Sequence, residues 1–237
     1  MLKIRSGTVI TGAAALLLTM AHSAQGQPAD KQSTATPPHS WTVYDYNPSG
    51  RALAPRVSAA SMPATMASDG TVSFPFKLNT YTALLSTTDE SLTGDLSNKT
   101  LQVTVSVAGG AGTFKDQNGG GCLPDMQTVR FKFTSSTAGG TTGFFTQFWW
   151  SNPVHVTLST DPQPSMTITQ IVNSPSMWSD WNGKSADSSP EIMEAFQDAI
   201  HKVNAIGLSF GGGCFFENGV TTSDGQGTFS SKFTETP

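Results

Sequence analysis

Charged side chains are scarce in this chain. Only 13% of its 237 residues are Asp, Glu, Lys or Arg, about half of the share that is usual in a soluble globular domain. The 13 basic residues are outnumbered by 17 acidic ones, so the formal charge is −4. Nucleic-acid binders carry a basic excess, and we therefore expect no nucleic-acid partner. We also do not expect the chain to be disordered throughout. Disordered chains combine high net charge with few aromatic residues, whereas this chain has 14 Phe and 5 Trp.

Long apolar runs are few as well, and the clearest one lies at the N-terminus. Residues 9–20 form an apolar stretch that Lys3 and Arg5 precede and small residues follow. This order is typical of a secretory signal peptide, here residues 1–26. The stretch is shorter than the ~20 apolar residues of a spanning helix, so we expect export to the periplasm or beyond and no stable membrane anchor. Because Lys3 and Arg5 would leave with the peptide and no acidic residue would, the formal charge falls from −4 to −6.

The chain has only two cysteines, Cys122 and Cys214, and each follows three glycines. In an oxidising compartment an even pair predicts a disulfide, with two buried free thiols as the alternative. The bridge would close a loop of about 90 residues, which is worth roughly 4–5 kcal/mol in the chain-entropy model. Two cysteines without a CxxC motif or a nearby histidine do not form a zinc site.

Short segments with alternating apolar and polar residues recur along the chain. One alternates without a fault over four apolar positions, Leu101, Val103, Val105 and Val107, which is the pattern of a half-buried antiparallel strand. About ten such segments with Gly-rich turns predict an all-β fold, a two-layer antiparallel jelly-roll sandwich. We place this single domain at residues 41–237, after a flexible Pro-, Ser- and Thr-rich leader at residues 27–40.

One amphipathic helix interrupts the strands near residues 190–203. Ser188-Ser189-Pro190-Glu191 matches a capping box with proline in the first turn. Apolar residues then recur at helical spacing, including Ile192, Phe196 and Ile200, and this stripe predicts the face that packs on the sandwich.

The sequence contains one pattern that resembles a catalytic motif, but its surroundings do not fit that motif. Gly207-Leu208-Ser209-Phe210-Gly211 matches the G-x-S-x-G pattern, but that motif needs a helix after the serine and a later histidine. More glycines follow here and no histidine comes after Ser209, so we interpret Ser209 as a strand residue. Glycoside hydrolysis needs two paired acids, and no pair can be singled out among 17.

We expect no cofactor, and the sequence leaves the presence of a metal open. A structural calcium held by Asp116, Asn118 and Asp125 is an alternative, although their spacing matches no calcium loop.

The tryptophans point to a binding site. In Phe148-Trp149-Trp150, a strand would place the two indoles on opposite faces, one of them in the core. We interpret Trp178-Ser-Asp180-Trp181-Asn182 as a loop with two more indoles beside a carboxylate and an amide. Exposed indoles with polar neighbours are typical of sugar binding, because the ring stacks on the apolar face of the sugar. We therefore predict Trp178, Asp180, Trp181 and Asn182 as ligand-binding residues; the alternative is that these tryptophans only cap the sandwich.

Several of these segments together carry a resemblance. Residues 148–153, 178–183, the Phe196 helix and residues 203–220 resemble secreted bacterial proteins of unassigned function with a galactose-binding-like jelly roll, as in many carbohydrate-binding modules. The resemblance covers roughly residues 72–233. It implies the jelly-roll fold, which hosts glycan, protein and other binders, and carries over no catalytic or ligand residue.

Three functions follow as expectations. The first is an exported non-catalytic binding module, foremost for an extracellular or envelope glycan. The second is a structural or protein-interaction domain of the cell envelope. The third is a glycoside hydrolase or lyase.

Overall fold

A computed structural model of the chain describes residues 40–46, 54–55, 64–110, 112–116, 127–135, 140–156, 165–211 and 219–237. Fifteen strands lie in these ranges: β1 (Trp41–Asp45), β2 (Ala54–Pro55), β3 (Thr65–Met66), β4 (Thr71–Pro75), β5 (Thr82–Thr87), β6 (Thr100–Ala108), β7 (Phe114–Asp116), β8 (Thr128–Ser135), β9 (Phe148–Ser151), β10 (Val154–His155), β11 (Met166–Ile171), β12 (Trp178–Asp180), β13 (Val203–Gly211), β14 (Val220–Thr222) and β15 (Thr228–Thr236). The same ranges hold one α-helix, α1 (Pro190–Ile200), and two 3-10 segments, Gly140–Gln147 and Pro175–Met177. The predicted signal peptide, the leader up to residue 39, Cys122 and Cys214 lie outside the described residues, so the export signal and the disulfide stay predictions.

The strands form two antiparallel sheets. The larger sheet has the order β12-β9-β8-β13-β5-β1-β2, with β10 paired to β8 and the β14–β7 pair attached to β5. The smaller sheet has the order β11-β6-β15-β4-β3. The prediction of an all-β antiparallel sandwich with two layers is confirmed. Several of the fifteen strands are only two or three residues long, which is why the sequence pattern indicated about ten.

Aromatic side chains join the two layers. The Phe210 ring of β13 lies 5.1 Å from the Phe229 ring of β15 and 6.0 Å from the Phe74 ring of β4. At the β1 side, the Trp41 and Phe233 rings are 4.5 Å apart. Rings of this size remove large apolar areas from water when they are buried, and the centroid distances fall in the range favoured by aromatic pairs. These contacts place the hydrophobic core between the sheets.

The alternation read from the sequence matches the burial of the strands. In β6 the four apolar residues named above are buried, and the polar residues between them are exposed or half-buried. Full burial of each such side chain contributes roughly 1.5–3 kcal/mol. In β6, alternation therefore identifies which face of the strand points into the core.

The predicted helix is present, but its N-cap is Ser189 and not Ser188, the first residue of the S-x-x-E pattern, and it ends at Ile200. The Ile192 backbone N–H donates to the Ser189 hydroxyl, and hydrogen bonds to its own backbone N–H and to the Ser189 side chain hold the pKa of Glu191 below its usual value. The buried stripe includes Phe196, whose ring lies 4.9 Å from that of Trp149 and 6.3 Å from that of Phe133. α1 thus covers the core side of β8 and β9. No helix in the described ranges is both long and apolar enough to cross a membrane.

Candidate functional site

Trp178 belongs to the core and not to a surface loop. It lies in β12, its side chain is 0% exposed, and its ring packs 5.0 Å from that of Phe133. β12 pairs with β9 so that Trp178 stands opposite Ser151, on the same side of the sheet as Trp149. A fully buried ring has no surface for a ligand to stack on. The expected platform of two exposed indoles is therefore wrong for Trp178.

Asp180 holds the turn that follows β12. Its side chain is 3% exposed, and its Oδ1 accepts the backbone N–H groups of Asn182 and Lys184, both at 2.9 Å. Gly183 completes the turn with a φ of 71°, a conformation that glycine adopts without steric cost. The Asp180 carboxylate therefore positions the turn and is not presented to solvent. Of the four predicted site residues, Asn182 is exposed and Trp181 is half-buried, and a ligand role for these two stays a prediction.

Trp181 packs on the side of the larger sheet that faces away from the core, which we call the outer face. Because Trp149 is buried in the core, alternation in β9 places Phe148 and Trp150 on the outer face. The Trp181 ring lies 5.2 Å from Phe148, 5.8 Å from Trp150 and 5.6 Å from Phe144. We call these four residues the outer cluster. The prediction that Trp149 and Trp150 point to opposite faces is confirmed, and Trp150 is 5% exposed under its neighbours.

Lys132 joins the outer cluster to the rest of the outer face. It lies in β8 between two core residues, Phe131 and Phe133, so its side chain points outward. Only 8% of the residue is exposed, and its Nζ lies 5.7 Å from the centre of the Phe148 ring. This distance is within the range of a cation–π interaction. The ring thus holds the ammonium group in place beside the cluster.

One row of paired residues crosses five strands of the outer face. In strand order it runs through Trp150, Lys132, Gly207, Ser86 and Thr42, which belong to β9, β8, β13, β5 and β1. Four strand spacings separate its ends, a distance of about 19 Å. Gly207 is required in the middle of the row, because a Cβ there would lie 1.9 Å from the carbonyl oxygen of Leu85. The row therefore has no side chain between Lys132 and Ser86.

A groove of about 390 Å³ continues the row past Lys132. Nine of the described residues line it: Ser40, Thr42, Tyr44, Leu84, Ser86, Thr87, Thr88, Lys132 and Ala205. Six of the nine carry a hydroxyl group, Lys132 is charged, and none of the nine is acidic. Hydroxyl groups and an ammonium group offer hydrogen-bond donors at fixed positions.

The hydroxyls of the groove fall into two sets. Thr87 donates to the Ser40 carbonyl at 2.8 Å, and Ser86 donates to the Ile206 carbonyl at 3.3 Å. The other four hydroxyls, those of Ser40, Thr42, Tyr44 and Thr88, have no side-chain hydrogen bond to other described residues. Within the described part of the groove, these four hydroxyls are thus the groups whose hydrogen bonds a ligand can complete.

Several alternatives from the sequence can be compared with this geometry. Ser209 lies inside strand β13 and is 1% exposed, so the interpretation of Ser209 as a strand residue is confirmed. No group of three or more His, Cys, Asp or Glu residues suited to hold a metal occurs in the described ranges. Of the proposed calcium ligands, Asp116 ends β7, while Asn118 and Asp125 lie outside the described residues.

Sequence reasoning missed Lys132 and Tyr44 as members of one site. The alternation of Phe131, Lys132 and Phe133 already indicated that the lysine points away from the core. The sequence had no signal for the pairing of β8 with β13 and of β13 with β5, and only this pairing brings Lys132 to the groove that Tyr44 lines.

No protein-family model, curated protein or solved structure matches this chain. The resemblance to galactose-binding-like modules therefore stays an expectation from residue patterns.

Proposed function

We propose that this protein is an exported, non-catalytic binding module that holds a glycan on the outer face of its larger sheet. The observation that carries the proposal is the row from Trp150 to Thr42, which connects the outer cluster to the hydroxyl-rich groove. Export is part of the proposal and rests on residues 1–26.

The two ends of the row suit the two kinds of surface that a sugar has. Sugar rings expose apolar C–H faces that stack on aromatic rings, and their hydroxyls need hydrogen-bonding partners. Trp181 is half-buried and Phe144 is 53% exposed, so the outer cluster offers aromatic surface. Thr42 and Tyr44 offer hydroxyls in the groove. A face about 19 Å long fits a chain of sugar units better than a single sugar.

The outer cluster is held ready for a ligand. The Asp180 carboxylate holds the turn that begins at Trp181, and three rings pack against its indole. A binding surface that is already ordered loses little conformational entropy when a ligand binds. None of the nine described residues that line the groove carries a carboxylate, so we do not place acid-pair hydrolysis there.

The test is a glycan array followed by titration of the purified protein with each bound oligosaccharide. We expect Trp181→Ala to weaken binding about tenfold or more, since one lost aromatic contact costs on the order of 1.4 kcal/mol. Leu78→Ala is the matched control, because Leu78 is 61% exposed and lies outside both the outer cluster and the groove. Absence of binding to every glycan, or equal binding by wild type and Trp181→Ala, would refute the proposal.

The envelope-interaction function has one observation in its favour. Phe144 and Phe145 are neighbours and are 53% and 44% exposed, and exposed aromatic residues are enriched in protein interfaces. If this function is correct, the protein ignores glycans, and an envelope protein retained by the wild type is lost with Phe145→Ser.

A further inference from the structure

We infer that the glycan is built from N-acetylated amino sugars, and that a depression in the floor of the groove receives the methyl of one acetamido group. This inference rests on the proposed function and adds the class of sugar. It depends on which side chains form the floor of the groove and on how the Ser86 hydroxyl is bonded.

The depression lies over β13. On the outer face, Gly207 stands between Lys132 of β8 on one side and Ser86 of β5 on the other, and pairs with both. Ala205 lies two positions before Gly207 and therefore on the same face, and it lines the groove. Glycine has no side chain and alanine has only a methyl group, whereas the residues on both sides carry longer side chains. The floor of the groove is therefore lowest along this part of β13.

Apolar side chains border the depression. Ala205 is the next outward residue along β13, and Leu84 lies diagonally across from Gly207, because Leu84 pairs with Ser209; both Ala205 and Leu84 line the groove. A sugar hydroxyl turned toward these two side chains would leave water without gaining a hydrogen-bond partner from them, which costs free energy. A methyl group in the same place is favoured, because its apolar surface leaves water. The floor thus suits a sugar whose ring substituent ends in a methyl group.

The Ser86 hydroxyl suits the N–H of an acetamido group. It donates its proton to the Ile206 carbonyl at 3.3 Å, so its oxygen is left to accept a further hydrogen bond. Ser86 stands directly opposite Gly207, so an acetyl methyl over Gly207 brings the amide N–H close to the Ser86 oxygen. A sugar hydroxyl can donate to the same oxygen but has no methyl to fill the depression. The acetamido group matches both features at once.

The experiment compares two uncharged tetrasaccharides that have the same linkage and differ only in one ring substituent. Tetra-N-acetylchitotetraose carries an acetamido group where cellotetraose carries a hydroxyl, and each is titrated into the full chain by calorimetry. We expect the acetylated chain to bind about tenfold more tightly, since one buried methyl and one additional hydrogen bond together correspond to such a factor.

Three variants locate the preference. Ala205→Val fills the depression with a residue that suits a strand, and it should remove the preference while leaving the affinity for cellotetraose nearly unchanged. Ala108→Val is the matched control, because it makes the same change at an exposed position of β6 in the smaller sheet; it should keep the full preference. Ser86→Ala removes the acceptor of the amide N–H and should lower the preference about threefold.

The outcomes separate this inference from the proposed function. Equal affinity for the two tetrasaccharides, or tighter binding of cellotetraose, overturns the inference and leaves glycan binding standing if Trp181→Ala still weakens it. An unchanged preference in Ala205→Val with an unchanged melting curve overturns the inference as well. If neither tetrasaccharide binds but another glycan of the array does, the inference alone fails, and if no glycan binds, the proposed function fails with it. Should Ala205→Val not fold, the comparison on wild type and on Ser86→Ala decides.

Discussion

Trp178 and Trp181 stand three residues apart, yet we expect their removal to have different effects. Trp178 is 0% exposed and packs against the rings of Phe133 and Phe196 at 5.0 and 6.4 Å. A buried indole removes about 150–250 Å² from water, which corresponds to about 4–6 kcal/mol at 25 cal/mol per Å². Alanine keeps part of this contribution and leaves a cavity, so Trp178→Ala should cost about 3–5 kcal/mol of unfolding free energy.

Trp181 has a different environment. It is half-buried, and its ring packs against the other three residues of the outer cluster, so Trp181→Ala should cost about 1–2 kcal/mol while removing most glycan binding. Urea unfolding followed by circular dichroism gives both free energies. Domains have about 5–15 kcal/mol of stability in total, so Trp178→Phe, which keeps a ring in place and should cost about 1–2 kcal/mol, serves if the alanine variant does not fold. A loss for Trp178→Ala that is no larger than that for Trp181→Ala would refute the assignment of Trp178 to the core.

Three further changes test other parts of the structure. Asp180→Ala removes the acceptor of two backbone N–H groups and should cost about 2–4 kcal/mol in urea unfolding and weaken glycan binding; unchanged binding would show that the turn does not position the outer cluster. Gly207→Ala places a Cβ 1.9 Å from the Leu85 carbonyl oxygen and should cost about 3 kcal/mol or more, a fall in Tm of at least about 6 °C, and an unchanged Tm would contradict the close approach of β13 and β5. Burial raises the pKa of Glu235 and Lys99 offsets part of this effect, so the folded state prefers the protonated acid and loses stability as pH rises above about 4.5. Glu235→Gln should therefore stabilise the protein at pH 7, with a gain that vanishes near pH 4, and calorimetry showing an equal gain at both values would contradict the sign.

Many strands and the helix could be predicted from the sequence because the patterns that indicate them involve only neighbouring residues. Alternation in β6 depends only on which side each residue takes along an extended backbone, and the cap at Ser189 depends on residues within one helical turn. The same rule separated Trp149 from Trp150. These features follow from the geometry of the chain over a few residues, so no knowledge of distant partners was needed.

The candidate site was less readable because it depends on distant pairing. The sequence marked Trp178 and Trp181 as equivalent, but the register of β12 against β9 turns Trp178 into the core, where its ring meets Phe196 of the helix, and a shift of one residue would reverse its face. Asp180 likewise looked like a ligand group, although its carboxylate is used by the turn beside it.

The groove shows most clearly which features the sequence determines and which ones depend on the tertiary structure. Alternation in the sequence indicates that Lys132 points away from the core, and it indicates nothing about which residues surround the ammonium group. Its neighbours in the groove come from residues 40–44, 84–88 and 205, which meet only when β8, β13, β5 and β1 pair in the observed order. That order depends on how much apolar surface the two sheets and the helix bury together. The free energy of this burial is a property of the whole fold and not of any one segment.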